Sequence, residues 1–272
     1  MKIIKLDGTE QGSIELPQQF NEEIRADLVA KAVEVIQCNK KQPYGAKADA
    51  GLRASAELSR RRNNYRGSYG HGISRVPRKI MSRNGTRMNW VGAVAPGTVG
   101  GRRAHPPKSA KILKKSINEN ERKKAIRSAL AASVDKEIVA SKGHIIPENY
   151  PFVITNDIEK LEKTKEIKTF LEKAGFKNEI KRSAVKKIRA GIGKLRGRKY
   201  KTKKGPLLVV GAECKLTKSA QNLPGIEIVQ IKNINCELLA PGKQLARATL
   251  FTENAIKELK EKNLFIWAKK NK

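Results

Sequence analysis

The chain has no long hydrophobic run, few aromatic residues and only three cysteines among its 272 residues. No segment approaches the roughly 20 consecutive apolar residues that a membrane-spanning helix needs. The first five residues lack the apolar core and small-residue cleavage site of a signal peptide, so we expect none. Cys38, Cys214 and Cys236 are odd in number and far apart, which predicts reduced core residues rather than a disulfide framework.

Patterns that mark metal sites and catalysis are also missing. There is no Cys-x-x-Cys pair, and no histidine has a cysteine, histidine or carboxylate at ligand spacing. No Gly-x-Ser-x-Gly nucleophile elbow is present. The glycines of segment 191–197 fit neither common phosphate-loop spacing, and no strand is predicted before them. We therefore predict no metal, no cofactor and no enzymatic activity.

Acidic residues are absent from one long stretch, between Glu57 and Glu119. Arginines outnumber lysines ten to one from Leu58 to His105, and eight glycines separate the charges. Such a segment cannot bury enough apolar surface to offset its ordering entropy, so alone it is predicted to be disordered. Because guanidinium groups bind phosphate bidentately and stack on bases, the composition predicts a segment that folds onto a polyanion.

The whole chain carries 58 basic and 26 acidic residues, a formal net charge of +32. Self-repulsion at this charge implies a permanent counter-charge, and nucleic acid is the first candidate. A membrane surface is disfavoured because no basic segment shows a large apolar helical face. Acidic protein partners rank third. A second acid-free basic stretch lies between Glu179 and Glu213.

Aromatic residues interrupt the first basic stretch at Tyr65, Tyr69 and Trp90, together with His71. Their neighbours are arginine, glycine and asparagine rather than apolar residues. This context favours stacking on unpaired bases over a place in a hydrophobic core.

Two amphipathic helices bracket the first basic stretch. The first is predicted from an N-cap at Asn21 to Cys38, after strands over Lys2–Leu6 and Ser13–Leu16. The second is predicted from Asn118, which forms a capping-box signature with Glu121, to about Ser141. The stretch between them is therefore an insertion into one domain, not a linker between two.

Strands and helices alternate after Pro151. Short apolar strands are predicted at Phe152–Thr155, Leu207–Val210, Ile226–Ile231 and Arg247–Thr252, with helices between them and a closing helix to Lys262. This alternation predicts an α/β fold with a mostly parallel sheet flanked by helices. We predict one globular domain over residues 1–272, with a basic non-globular extension at 40–117 and a second basic segment at 181–206. In that second segment a helix carrying Ile180, Ala184, Val185 and Ile188 on its core side precedes a loop.

Several motifs occur in a fixed order along the chain. They are Ile73–Arg78, Gly100–Lys108, Ser128–Ser133, Ser141–His144, Ile188–Gly191, Asn222–Gly225 and Leu238–Gly242. Together they resemble the archaeal/eukaryotic branch of the universal ribosomal protein four family of the large subunit. The long lysine-rich C-terminal extension of many eukaryotic members is missing, which favours an archaeal cytoplasm.

The resemblance implies a structural ribosomal protein and no catalytic role. Family members have an α/β domain on the outer face of the large subunit, and a long extension that runs through ribosomal RNA to the wall of the nascent-peptide exit tunnel. Expected partners are large-subunit ribosomal RNA, neighbouring ribosomal proteins and the nascent peptide, with no membrane and no homo-oligomer. By position, the tip falls at residues 65–78, which places Tyr65, Tyr69, His71 and Arg75 at the tunnel.

The predicted RNA-binding residues come from both basic stretches. They are Arg53, Arg60, Arg61, Arg62, Arg66, Arg75, Arg78, Lys79, Arg83, Arg87, Trp90, Arg102, Arg103, His105, Lys108, Arg189, Lys194, Arg196, Arg198 and Lys199.

Two other functions stay open from the residues. An RNA-modifying enzyme would combine an α/β catalytic domain with basic RNA-gripping arms, and would need a cofactor pocket at the carboxyl ends of its strands. A chromatin-like architectural protein would bind duplex DNA and structured RNA with comparable affinity.

Overall fold

The computed structural model describes residues 1–267. Its N-terminal half contains β1 (Lys2–Ile4), β2 (Glu10–Ser13), α1 (Ala26–Asn39), β3 (Arg78–Asn84), β4 (Arg87–Gly92), α2 (Glu119–Val134) and α3 (Lys136–Ser141). Its C-terminal half contains β5 (Phe152–Ile154), α4 (Thr164–Leu171), α5 (Lys177–Ala184), β6 (Lys187–Ile188), β7 (Tyr200–Lys201), β8 (Leu207–Val210), α6 (Leu216–Ser219), β9 (Glu227–Gln230), α7 (Cys236–Leu239), β10 (Thr249–Thr252) and α8 (Glu253–Glu261).

A six-stranded sheet forms the centre of the fold, in the order β2-β1-β5-β10-β8-β9. Only the β1–β2 pair is antiparallel, and the other four pairs are parallel. In the β8–β10 pair, for example, Leu207 lies opposite Thr249 and Val209 opposite Phe251. The prediction of an α/β fold with a mostly parallel sheet is confirmed.

Helices cover both faces of this sheet, so the central strands have no polar side. Val209 and Phe251 point into a core built with α1, α2, α7 and α8. Their neighbours Leu208 and Leu250 point into a second core built with α3, α4, α5 and α6. All residues of β5, β8 and β10 are buried, which explains why these strands read as continuous apolar runs rather than alternating patterns.

The second strand differs from its prediction. It covers Glu10–Ser13 rather than Ser13–Leu16, because the chain reverses at once after β1. Gly8, at φ +87°, donates its backbone N–H to Lys5, and the N–H of Lys5 donates to the Thr9 carbonyl. Pairing with β1 therefore begins at Glu10, directly after the turn.

The first helix begins later than predicted. Asn21 ends a short 3₁₀ turn at Gln18–Phe20, and α1 starts only at Ala26, with Arg25 in the N-cap position. The backbone N–H of Arg25 donates to the Ser128 hydroxyl at 2.6 Å, so a side chain of α2 accepts at this helix end. A contact between residues this distant in sequence is invisible to local capping rules.

The two other helix predictions need corrections at their ends. Asn118 is the N-cap residue of α2, as predicted, but its side chain makes no capping hydrogen bond. Helix α2 stops at Val134, and Asp135 caps the separate helix α3 by accepting from the N–H groups of Glu137 and Ile138. Helix α5 ends at Ala184, so Val185 and Ile188 are exposed instead of docked on the core.

The cysteines largely follow the prediction. Cys38 and Cys236 are buried and Cys214 is half-buried. Burial raises the pKa of the Cys236 thiol to about 12, because the thiolate would lose its hydration. This thiol therefore behaves as a small apolar core group.

The chain divides into two compact units. One, here called the α/β unit, holds residues 1–40 and those from 114 onward, and the other, the extension unit, holds residues 41–113. The extension unit contains the antiparallel β3–β4 hairpin, in a segment that is predicted from composition to be non-globular. No helix within residues 1–267 is long and apolar enough to cross a membrane.

Candidate nucleic-acid interface

The extension unit is strongly basic and almost free of internal counter-charge. It holds sixteen lysines and arginines against two carboxylates, Asp49 and Glu57. Asp49 pairs with Arg53 at 2.5 Å, and Glu57 pairs with Arg66 at 2.9 Å. The unit's other nine arginines make no ion pair within residues 1–267. Their charge is available to an external anion.

Most predicted RNA-binding side chains of this unit are solvent-exposed. The exposed ones are Arg53, Arg60, Arg61, Arg62, Arg66, Arg75, Arg83, Arg87, Arg102, Arg103, His105 and Lys108. Arg78, Lys79 and Trp90 are half-buried.

Three consecutive arginines, residues 60–62, lie on a tight loop. The loop is closed by a bridge between Ser59 and Gly67, and the Asn64 amide donates to the Ser59 hydroxyl at 2.8 Å. The Gly67 N–H donates to the Asn64 carbonyl at 2.9 Å, and a Cβ at Gly67 would lie only 2.9 Å from the same oxygen. The loop backbone therefore requires glycine there, and it holds the arginine side chains outward.

The β3–β4 hairpin gives the extension unit a rigid element. Asn84 lies opposite Arg87 across a two-residue turn whose first residue, Gly85, has φ +59°. Ile80 lies opposite Trp90, with a bulge just after Ile80. The Asn-Gly dipeptide at residues 84–85 is a hairpin-turn signal, and the half-buried Met88 and Trp90 alternate with exposed residues after it. The basic, glycine-rich composition of the segment nevertheless favours a prediction of irregular structure.

Arginines lie over the aromatic rings of this unit. The Arg83 guanidinium is 4.9 Å from the centre of the Tyr65 ring, and that of Arg75 is 5.0 Å from the Tyr69 ring. Arg78 lies 5.4 Å from the centre of the Trp90 ring. These cation–π contacts hold the rings in place beside positive charge without any apolar core.

Tyr65, His71 and Trp90 are brought together at one cleft. It has a volume of about 320 Å³ and also borders Asn64 and Met88. Three of the four rings assigned to base stacking thus share one site, whereas Tyr69 is not part of its lining.

A second, larger cleft lies on the returning arm, which is the part of the extension unit after β4; the part before β3 is the outgoing arm. Its volume is about 660 Å³, and its lining includes Arg103, His105, Lys108 and Lys111. Tyr44, 69 % exposed, completes the cleft from the outgoing arm. Four basic or titratable groups beside an exposed phenol ring suit a nucleotide's phosphate and base.

The two arms of the extension unit touch through their backbones. The Ala46 N–H donates to the Pro107 carbonyl at 2.9 Å. A side chain at Gly51, where φ is +77°, would collide with the backbone of Arg102. Glycine at this position therefore permits the close approach of the outgoing and returning arms.

The second basic segment forms a short hairpin on the α/β unit. Strands β6 and β7 pair Lys187 with Lys201, and the loop between them exposes its charges. The exposed residues of the predicted set are Lys194, Arg196, Arg198 and Lys199. Arg189 is half-buried, and its Nε donates to the Arg198 carbonyl at 3.1 Å, so this side chain shapes the loop.

The sequence matches a known protein family. The sequence model of the ribosomal protein L4/L1 family matches residues 14–262. The chain belongs to this family. It is similar to the large ribosomal subunit protein uL4 of Nanoarchaeum equitans, with 45 % identity over 97 % of this chain and 98 % of the relative. The protein of the same name from Methanococcoides burtonii is 44 % identical over 93 % of this chain and 95 % of its own length. That of Archaeoglobus fulgidus is 39 % identical over 96 % and 98 %.

The motif at residues 141–144 contacts α5, the helix that directly precedes the basic hairpin. The ring of His144 is hydrogen-bonded to the fully buried Glu179 at 2.6 Å, and the Ile145 N–H donates to the same carboxylate at 2.9 Å. Arg182 donates two further bonds, at 2.5 and 2.7 Å. Burial opposes ionisation of Glu179, but the bonds from Arg182, His144 and Ile145 outweigh it and lower its pKa to about 2.

Lys142, in the same motif, is hydrogen-bonded to the chain at and just after the motif at residues 238–242. Its ammonium group donates to the Pro241 carbonyl at 2.8 Å and to the Gln244 carbonyl at 2.6 Å. Partial burial, together with the charge of Arg247, lowers the pKa of Lys142 to about 8. Residues that identify the family thus also serve the fold of the α/β unit.

Arg247 is a buried charge at the start of the strand predicted over Arg247–Thr252, where no role is predicted for it. Its side chain is fully buried and pairs with Glu227 at 2.6 Å. It also donates to the carbonyl oxygens of Gly205 and Gly225 at 2.6 and 3.2 Å. Burial lowers the pKa of Arg247 to about 10, so the group stays charged at neutral pH. Nothing in the local sequence distinguishes this arginine from the exposed ones.

Helix α1 is tied to the segment that re-enters the α/β unit. The Lys115 N–H donates to the Asn39 side-chain oxygen at 3.0 Å, and the Lys115 ammonium pairs with Glu34. Lys243 pairs with the other oxygen of Glu34 at 2.9 Å. These two lysines lower the pKa of the half-buried Glu34 to about 2.

Proposed function

We propose that this protein is a structural constituent of the large ribosomal subunit, in the cytoplasm, and that it binds large-subunit ribosomal RNA. The observation that carries the proposal is the extension unit, whose nine arginines without an ion pair in the described chain face only two carboxylates, both already paired. Membership of a ribosomal protein family and the names of the archaeal relatives support it.

The proposed mechanism is charge neutralisation combined with recognition of RNA shape. Exposed guanidinium groups on the loop at residues 60–62 and on the returning arm would bind phosphates of neighbouring RNA strands. Cancelling that charge lets RNA segments approach one another closely. The hairpin loop at residues 189–199 supplies a second set of contacts from the α/β unit.

Residues 65–78 are proposed as the tip that lines the exit tunnel, with Tyr65, Tyr69, His71 and Arg75 as its side chains. Gly70 and Gly72 both have positive φ, so the backbone turns sharply there. The Arg75 guanidinium lies over the Tyr69 ring, which gives this segment a fixed pair of side chains. The assignment to the tunnel rests on the family resemblance.

The two alternatives have less support. Family membership and the archaeal relatives named for the large ribosomal subunit favour a structural ribosomal protein over an RNA-modifying enzyme. An architectural DNA-binding role would give similar affinity for duplex DNA and for ribosomal RNA. Competition between the two nucleic acids for the full chain would decide this, and we expect ribosomal RNA to win.

The central experiment measures how salt weakens binding to large-subunit ribosomal RNA. Each phosphate contact makes the slope of the logarithm of the binding constant against the logarithm of the salt concentration more negative by roughly 0.7 to 0.9. Changing Arg60, Arg61 and Arg62 to Gln in the full chain should therefore make the slope shallower by about 2 to 3.

The matched control changes the same amount of charge on the exposed lysines Lys165, Lys218 and Lys257 of the α/β unit. An equal change of slope in the two variants would contradict the proposal, because binding would then follow net charge alone.

A further inference from the structure

The cleft beside Trp90 has walls from two separated segments of the chain. Tyr65 and His71 come from the loop before the hairpin, and Trp90 comes from β4. The cleft volume of about 320 Å³ is enough to admit a planar ring system.

Polar groups at the cleft have unused hydrogen-bonding capacity. The Asn64 amide nitrogen donates to Ser59, while its side-chain oxygen has no partner among residues 1–267. Ser68 follows Gly67, a lining residue, and only 4 % of its surface is exposed. Its hydroxyl has no hydrogen-bond partner in the described chain. A buried hydroxyl without a partner costs free energy.

The charges around the cleft favour a ligand attached to phosphate. Arg83 and Arg66 both lie against the Tyr65 ring, and Arg78 lies against Trp90. No carboxylate of residues 1–267 lines the cleft. Aromatic faces, an amide and surrounding guanidinium groups are the combination that binds unpaired bases of a nucleic acid.

We propose that this cleft binds one unpaired nucleobase of the ribosomal RNA, stacked against the aromatic rings with its edge toward Asn64. The inference rests on the proposed function and deepens it, because it assigns Tyr65, His71 and Trp90 to a base. Of the four side chains proposed for the tunnel tip, Tyr65 and His71 therefore face RNA, and only Tyr69 and Arg75, which do not line the cleft, remain for the tunnel wall.

The chain offers its own reporter for this site. Trp90 and Trp267 are its two tryptophans, and Trp267 is exposed. In the full-length variant Trp267→Phe, all tryptophan fluorescence therefore comes from Trp90. A short oligoadenylate should quench this emission, because base stacking perturbs the indole. An abasic ribose-phosphate strand of equal length, bound at the same salt concentration, should not.

Two substitutions in that background sharpen the test. Tyr65→Leu should weaken oligoadenylate binding by about 5- to 140-fold, the range expected for one stacked base, and should leave binding of the abasic strand unchanged. Met81→Ala is the control, since Met81 is an exposed side chain of the same hairpin outside the cleft. It should change neither affinity.

Binding of large-subunit ribosomal RNA to the same variants separates the two proposals. If this RNA binds with a steep salt slope while both strands quench Trp90 equally, the base site is refuted and the proposed function stands. If the unmodified chain does not bind ribosomal RNA at all, both proposals are refuted. If an unstructured peptide quenches Trp90 fluorescence and the oligoadenylate does not, the base site is also refuted, and the cleft binds protein instead.

Discussion

Arg182 donates a hydrogen bond from its guanidinium to the backbone carbonyl of Lys204, at 2.6 Å. The two residues flank the basic hairpin, one before β6 and one after β7. The same guanidinium holds the buried Glu179, so the charged loop is anchored at both ends to one internal ion pair. A segment that must present repelling charges is thereby fixed to the core of the α/β unit.

Breaking that anchor should destabilise the α/β unit. Arg182→Met leaves Glu179 buried without its main counter-charge, and such losses cost about 3 to 5 kcal/mol. Urea unfolding followed by circular dichroism measures the change. Lys181→Met, one residue away on the exposed side of α5, should stay within about 0.5 kcal/mol of the unmodified chain. Equal losses in both variants would refute the anchoring role.

Stability should fall at acidic pH in a defined window. The pKa of Glu179 in the folded state is about 2, below its usual value of 4.5, so the unfolded state binds more protons between these values. The stabilisation is complete above about pH 4.5 and is lost as the pH falls toward 2. It amounts to about 3 kcal/mol for Glu179. Denaturant unfolding across this range should show a shallower pH dependence in Glu179→Gln.

Glu34 titrates in the same window but should respond differently to salt. Its pKa is also lowered to about 2, by Lys115 and Lys243, yet its side chain is 40 % exposed whereas that of Glu179 is fully buried. Exposed pairs are screened, so the contribution of Glu34 should shrink in high salt while that of Glu179 persists. A pH dependence that disappears entirely at high salt would exclude Glu179 as its main source.

The contact between the two arms of the extension unit should depend on Gly51. Gly51→Ala combines a backbone strain at positive φ with a collision against Arg102. Gly70→Ala carries the same strain, at φ +80°, with open space around it. Trypsin cleavage after Arg102 and Arg103 in the free protein should accelerate for Gly51→Ala well beyond Gly70→Ala. Equal cleavage rates would mean that the arms do not need this close approach.

The basic hairpin should contribute its own phosphate contacts. Changing Lys194, Arg196 and Arg198 to Gln should reduce the salt slope of ribosomal RNA binding by about 2 to 3. Combined with the Arg60–Arg62 substitutions, the two reductions should add if the segments bind separate phosphates. A combined variant no weaker than either alone would show that the two segments do not contact RNA at the same time.

The parts of the fold that follow local rules were predictable from sequence. Continuous apolar runs such as Leu207–Val210 mark strands covered on both faces, and β8 has those same bounds. Errors arise where distant contacts decide the outcome. Helix α1 starts after Arg25 because Ser128 accepts its N–H, and α5 ends before Val185 although apolar residues continue at helical spacing.

The candidate site was predictable in composition but not in geometry. The lack of acidic residues and the excess of arginine identify the extension from sequence. Most of the side chains predicted to bind RNA are exposed. The clustering of Tyr65 with Trp90 depends on the β3–β4 hairpin, whose Asn84-Gly85 signal lies within a segment dominated by charge. His144 bonds to the buried Glu179, and the buried Arg247 pairs with Glu227; both partners are distant in sequence, so spacing rules do not reveal them.

The hydrogen bond from the Lys115 N–H to Asn39 places the exit and return points of the inserted segment side by side on the α/β unit. A loop whose ends already meet changes its closure entropy only slowly with length, by about 0.6 kcal/mol per doubling. The α/β unit can therefore tolerate an insertion of very different length at this point. The reach of the extension can then change independently of the stability of the unit that carries it.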